Sequence, residues 1–193
     1  MEKHRHFILN KPYNCLSQFI YEGKRKKSKH LLGELYDFPK GTMAIGRLDE
    51  NSEGLLFLTT NGMVSHNVRS KKVEKEYYAQ VDGIITQEAV DKMKKGVEIG
   101  FNGMKYITKP CNAFLINQEP NLPIASRKVR DERHGPKSWV SITLTEGKFR
   151  QVRKMTAAVG FPTLRLVRVR IDKIHLQINA GEVTEVKGFK NNN

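Results

Sequence analysis

The segment Gly46-Arg47-Leu48-Asp49-Glu50-Asn51-Ser52-Glu53-Gly54-Leu55-Leu56-Phe57-Leu58-Thr59-Thr60-Asn61-Gly62 sets carboxylates directly against an unbroken apolar run. That junction constrains the fold more than any other feature. Leu55, Leu56, Phe57 and Leu58 leave no polar face, so the run reads as a strand buried on both sides. Asn61-Gly62 closes it with a turn signal. Gly46 and Gly54 bracket the acidic residues, where the chain can turn tightly or lie close to a ligand. The segment therefore presents Asp49 at a rigid edge beside a core strand. Read alone, it also describes an ordinary acidic turn before such a strand.

The setting makes the carboxylates informative. Lys and Arg total 34 against 20 Asp and Glu, a formal net charge of +14 in 193 residues. A basic domain approaches polyanions, and a carboxylate beside a polyanion costs binding energy. A carboxylate kept in the binding cleft of such a chain has work to do. An anionic membrane would call for a basic amphipathic helix, and none is evident, so no membrane partner is expected. No apolar run approaches the roughly 20 residues of a bilayer span, and no signal-peptide pattern leads the chain. Cys15 and Cys111 are too few for a disulfide framework or a zinc site, and suit neutral thiols in a reducing cytoplasm. No H-E-x-x-H, C-x-x-C or G-x-x-x-x-G-K-[ST] motif occurs, so neither a metal nor a nucleotide cofactor is implied.

Hydrophobic periodicity and punctuation place the elements. Strands are expected over 7–9, 43–45, 75–81, 97–99, 113–116, 139–145, 164–171 and 182–186. In 139–145, Val140, Ile142 and Leu144 alternate with Ser141, Thr143 and Thr145, the pattern of a half-buried strand. Ser28 is placed to cap a short helix running to Tyr36, with Leu31, Leu32 and Leu35 on one face. Thr86 caps a second helix that buries Val90 and Met93 and stops at Gly96. A third helix covers 150–159 and ends at Gly160. The stretch 119–135 is Pro-rich, polar and basic, a long loop of the kind that is functional or disordered. Gly23-Lys24-Arg25-Lys26-Lys27-Ser28-Lys29 is a basic run, read either as a solvated loop or as a phosphate-contacting arm. Many strands with few, separated helices argue for an α+β fold with a mixed, mostly antiparallel sheet. The chain is expected to be a single catalytic domain over 1–193, with room for two lobes, and a monomer.

Three segments, in order, carry a resemblance. The Asp49 segment resembles the motif G-R-L-D-x-x-[ST]-E-G-L-L of pseudouridine synthases of the ribosomal-RNA branch. Lys75-Glu76-Tyr77-Tyr78-Ala79-Gln80-Val81-Asp82-Gly83 resembles the K-x-Y-x-x-x-x-x-G segment of that family. Glu146-Gly147-Lys148-Phe149-Arg150-Gln151-Val152-Arg153-Lys154-Met155 resembles its E-G-[KR]-x-x-Q-V-R-[KR]-M segment. Asn10-Lys11-Pro12-Tyr13 and Gly160-Phe161-Pro162-Thr163-Leu164-Arg165-Leu166 bring the chain nearest the large-subunit members of the branch. The resemblance implies a central mixed sheet with flanking helices and a cleft across it. Many relatives carry a small S4-like RNA-binding domain ahead of the catalytic one. This sequence is expected to lack it, because the catalytic motifs begin so early.

The resemblance implies an isomerase that converts one uridine of ribosomal RNA, free or in an assembling particle, to pseudouridine. The base leaves C1′ of the ribose, turns, and rejoins through C5. Atoms are conserved, so no cofactor is required. The uracil must first leave the helix stack, at a cost of a few kcal/mol. Asp49 matches the catalytic aspartate, as nucleophile at C1′ or as the base that removes the C2′ proton. Either role needs the ionised carboxylate, which burial opposes and a nearby guanidinium favours. Arg153 is the matching partner. Tyr77 offers a flat face to the uracil and a hydroxyl near the C5 proton, and Tyr78 points to the opposite face of its strand. Lys148, Arg150 and Lys154 read as phosphate contacts. So do Lys24, Arg25, Lys26 and Lys27, while Arg47 fills the gap left by the base or binds its phosphate. Two other classes stand beside this one. A noncatalytic RNA-binding or ribosome-assembly protein on the same fold predicts loss of the Asp or its Arg. A metal-dependent nuclease built on Asp49, Glu50 and Glu53 predicts dependence on a divalent ion.

Overall fold

The computed structural model describes residues 4–21, 29–70, 73–125, 127, 129, 130 and 132–189. The chain divides into two units, Met1–Val73 with Arg170–Asn193, and Glu74–Val169. Ser28 and the basic residues Lys24, Arg25, Lys26 and Lys27 lie outside the described residues.

The first unit opens with β1 (His6–Lys11). β2 (Cys15–Leu16) and β3 (His30–Leu31) pair in parallel. A single 3-10 turn, Leu32–Glu34, follows. It replaces the longer helix expected through Tyr36. The Glu34 carboxylate accepts from the Leu31 amide at 3.2 Å and meets the His30 ring at 2.9 Å, which closes one turn and no more. β4 (Met43–Ala44) and β1 both pair antiparallel with β5 (Glu53–Thr59). Every residue of β5 is buried, as an apolar run without a polar face requires. Leu56 and Leu58 join Phe7, Leu9, Cys15 and Leu32 in one core. Leu55 and Phe57 join Ile45 and Ile171 in another.

The turn expected at Asn61-Gly62 is instead the start of α1 (Gly62–Ser70). The Asn61 side-chain oxygen accepts from the Met63 and Val64 amides at 2.9 and 3.1 Å. The same residue type that suits a turn also caps a helix. Val64 and Val68 then pack against the Leu55 and Phe57 core.

The second unit begins with β6 (Lys75–Asp82). α2 (Gln87–Lys95) follows, its cap supplied by Thr86, whose hydroxyl accepts from the Ala89 amide at 3.2 Å. Val90 and Met93 are fully buried. At Gly96 the φ of +103° and the Thr108 carbonyl, 2.3 Å from where a Cβ would sit, admit only glycine. β7 (Glu98–Phe101) turns through Asn102 and Gly103, both at positive φ, into β8 (Met104–Ile107). β8 is absent from the sequence reading, although Asn-Gly between short strands is a hairpin signal. β9 (Asn112–Ile116) lies beside β10 (Lys137–Leu144), which pairs antiparallel with both β9 and β6. α3 (Gln151–Ala158) leads to β11 (Thr163–Ile171), and the strand order within this unit is β11-β6-β10-β9. β10 is not half-buried as its alternation suggests. Ser141 and Thr143 are also buried, and the Ser141 hydroxyl donates to Glu76 at 2.9 Å.

The chain then returns to the first unit through β12 (Ile174–His175), paired with the last two residues of β11. β13 (Val183–Val186) pairs antiparallel with β1. The architecture is α+β. Among the described residues no helix is long and apolar enough to cross a membrane.

The long stretch 119–135 carries only a 3-10 turn, Glu132–His134, among its described residues. Three arginines fasten it. Arg127 donates to the Leu164 carbonyl at 2.6 Å, Arg165 reaches back to the Pro123 carbonyl at 2.7 Å, and Arg130 grips Asp82 through both guanidinium nitrogens. Positive charge in and beside this basic stretch is thus committed to holding a loop. Trp139 is buried, its ring N–H donating to Glu119 at 2.8 Å.

Candidate active site

In the first unit, Asp49 sits between two residues whose backbones are pinned. On one side is Leu48, itself buried. The Ser17 hydroxyl donates to the Leu48 carbonyl at 2.8 Å and accepts from the Leu48 amide at 3.0 Å. On the other side is Glu50. Its carbonyl accepts from the Asn14 amide at 3.0 Å and from the Lys11 ammonium at 3.4 Å. Lys11 is fully buried and also donates to the carbonyls of Pro12 and Cys15, at 2.9 and 2.6 Å. A buried ammonium needs such a ring of oxygens to offset its desolvation. The ring in turn fixes the strand end against the Asp49 loop. The Ser52 amide donates to the Asp49 carbonyl at 3.0 Å and closes the turn. Gly46, at φ +75°, lets the chain enter it.

The three carboxylates of this segment do not act together. Glu50 ion-pairs with Lys29 at 2.8 Å, and Glu53 is buried at the start of β5. Asp49 is half-buried and Arg47 exposed. Among the described residues no group of His, Cys, Asp and Glu is arranged to hold a metal ion. Cys111 is half-buried. Burial raises its thiol to about 11, so the group is a neutral donor to the Met93 carbonyl at 3.3 Å.

In the second unit, Tyr77 lies on β6 opposite Ile142 and packs against the core formed by Ala79, Val81 and the α2 face. The Arg168 guanidinium lies 6.0 Å from its ring centroid, and Arg168 is itself buried. Burial, aided by the charge of Arg168, lowers the Lys75 ammonium below its ordinary value. Tyr78 stands opposite Ser141 on the strand's other side.

The third motif folds around Glu146. Its carboxylate accepts from the Tyr106 hydroxyl at 2.6 Å, the Lys109 amide at 2.9 Å and the Gln151 side-chain amide at 2.6 Å. Burial pushes the Glu146 carboxyl up. The hydrogen bonds together outweigh it and hold the group below the ordinary glutamate value. The Gln151 side-chain oxygen accepts from the Lys148 amide at 2.9 Å, closing the loop on itself. Lys148 lies over the Tyr106 ring at 4.8 Å. Arg150 enters α3 at φ +53°, a left-handed conformation that a non-glycine residue adopts only when its surroundings impose it. Arg153 donates to the Thr163 carbonyl at 3.3 Å, and Lys154 to the Gly100 carbonyl at 2.6 Å. The loop thus gathers Lys148, Arg150 and Lys154 at the start of one helix. Sequence reasoning assigns no role to Ser17, Lys11, Glu146 or Gln151. Only the motif spacing of Glu146 and Gln151 hints at them.

A family model described as RNA pseudouridylate synthase matches residues 5–158. The chain belongs to that family and is an RNA pseudouridine synthase, an isomerase. Two relatives are each called ribosomal large subunit pseudouridine synthase E. The protein from Xanthomonas axonopodis pv. citri is 40% identical over 166 residues, covering 85% of this chain and 84% of the relative. The protein from Vibrio vulnificus is 39% identical over 184 residues, covering 93% and 74%. A solved structure described as a pseudouridylate synthase superposes with a TM-score of 0.74 at 24% identity, covering 97% of this chain and 72% of that one. The fold is therefore the α+β pseudouridine synthase fold.

Proposed function

We propose that this enzyme isomerises one uridine of large-subunit ribosomal RNA, with Asp49 as the reacting carboxylate. The observation that carries the reading is the clamping of Leu48 and Glu50 on either side of Asp49 by Ser17, Asn14 and Lys11. A loop held at both ends presents its side chain in one place, and orientation of that kind is worth several kcal/mol of barrier. The names and the 38–40% identity of the relatives support the substrate.

In the reaction the N1–C1′ bond breaks and a C5–C1′ bond forms. C5 gives up its proton and N1 ends with one, so the balance closes with no outside reagent. Asp49 serves as nucleophile at C1′ or as base at C2′. Tyr77 and Arg153 take the roles their motif positions imply. Arg47, Lys148, Arg150 and Lys154, with Lys24, Arg25, Lys26 and Lys27, neutralise phosphates. The enzyme works as a monomeric catalytic domain in the cytoplasm.

Asp49→Asn is nearly isosteric and can be neither nucleophile nor base. The variant should melt with the wild type and bind large-subunit ribosomal RNA as well, but form no pseudouridine when the RNA is mapped at nucleotide resolution. Pseudouridine at the wild-type position in the variant's product would sink the assignment of Asp49. Absence of any new pseudouridine with the wild type would sink the substrate.

A further inference from the structure

Among the described Phe, Tyr and Trp rings, Phe149 is the most exposed. It shows 65% of its surface, against 50% for Phe114. Burying a ring is favourable, so one held out in solvent on a fastened loop calls for an explanation. The loop is fastened. Glu146 and Gln151 tie its two ends together, and the Gln151 side chain holds the amide of Lys148, the residue before Phe149. The residue after it, Arg150, is in the left-handed conformation, which redirects the chain between Phe149 and α3. The ring has a fixed neighbour. The Lys154 ammonium lies over it, 5.3 Å from the centroid, while donating to the Gly100 carbonyl at 2.6 Å.

A flat apolar ring, fixed in direction and set among Lys148, Arg150 and Lys154, matches the combination that binds single-stranded nucleic acid. Cations track the phosphates and the ring receives a base. We infer that Phe149 is a stacking platform for an unpaired RNA base other than the reacting uridine. The inference rests on RNA being the substrate and adds a second nucleotide site to it. Lys154 over the ring strengthens the platform by keeping it oriented. The stacked base gains a planar partner without any requirement for its identity.

The test uses the full chain and a labelled, mixed-sequence single-stranded RNA oligonucleotide, because stacking tolerates sequence. Phe149→Leu should weaken binding about fivefold or more, the range for one stacked base. Phe149→Tyr should stay within about twofold of the wild type, since it keeps the ring. The salt dependence should be the same in all three, since no charge is removed. The melting temperatures should coincide, because the ring is largely outside the core. Phe149→Trp supplies a direct reading, because the native Trp139 is buried. Its emission should be quenched when RNA binds. Equal affinity of Phe149→Leu and wild type, or unchanged Phe149→Trp emission on the bound oligonucleotide, overturns the inference while leaving the isomerase reading intact. A normal stacking result with no conversion of large-subunit ribosomal RNA overturns the substrate alone.

Discussion

At the scale of single residues, Ser17 shows how a small polar side chain fixes a loop far from it in sequence. Its hydroxyl holds both backbone groups of Leu48, next to Asp49. In Ser17→Ala both groups lose this partner in a buried setting, a loss of about 1–3 kcal/mol. If the loop also shifts by an ångström, the chemical step slows on the order of 10²-fold. The expected outcome is a lower denaturation midpoint together with a fall in the single-turnover rate at saturating RNA, and little change in RNA affinity. A destabilised variant with a wild-type single-turnover rate would make Ser17 a purely structural pin. Asp49 is readable in the sequence as a candidate because its motif is local and ordered with two others. Ser17 is not, because nothing in a sequence tells which of many serines turns its hydroxyl toward a backbone far along the chain.

At the scale of elements, local punctuation reads correctly where one meaning is available. Thr86 and Gly96 bound α2 as expected, since the cap and the positive-φ stop have few alternatives. Asn61-Gly62 has two meanings, turn or cap, and the sequence alone does not choose the helix it starts. The expected half-burial of β10 fails because both of its faces are covered, Val140, Ile142 and Leu144 in the core and Ser141 and Thr143 on the other side. In the Glu146 loop the cations draw the eye, yet the carboxylate sets their positions. The pH dependence follows from the sign of its shift. Glu146 is held below the ordinary glutamate value in the folded state. Its contribution to stability is therefore fully present above the unfolded value of about 4.3 and is lost as pH falls through the lower folded value. Urea unfolding at acid pH should show this loss in the wild type and a flatter curve in Glu146→Gln. The variant should also start less stable at neutral pH, because the amide cannot replace an ionised acceptor of three hydrogen bonds. Parallel curves for the two proteins would show that the loop is indifferent to the charge of Glu146.

At the scale of the whole molecule, the net charge of +14 predicts how affinity depends on salt. Part of that charge is committed internally. Arg127, Arg130 and Arg165 hold the 119–135 stretch, and Lys11 is buried among carbonyls. Counting basic residues thus overstates the number that meet phosphate. Counterion release supplies the correct count, since the log–log slope of affinity against salt is about −0.7 per phosphate neutralised on a single strand. Replacing Lys24, Arg25, Lys26 and Lys27 by Gln should make the slope shallower by up to about 2.8, if each touches one phosphate. Single-turnover chemistry at saturating protein should change little, because these charges act on binding. The matching control is Arg130→Gln, which also removes a positive charge, but one whose partner is Asp82. That variant should lose stability and leave the slope nearly unchanged. A slope that flattens for Arg130→Gln but not for the run at 24–27 would reverse this division between structural and RNA-facing charge.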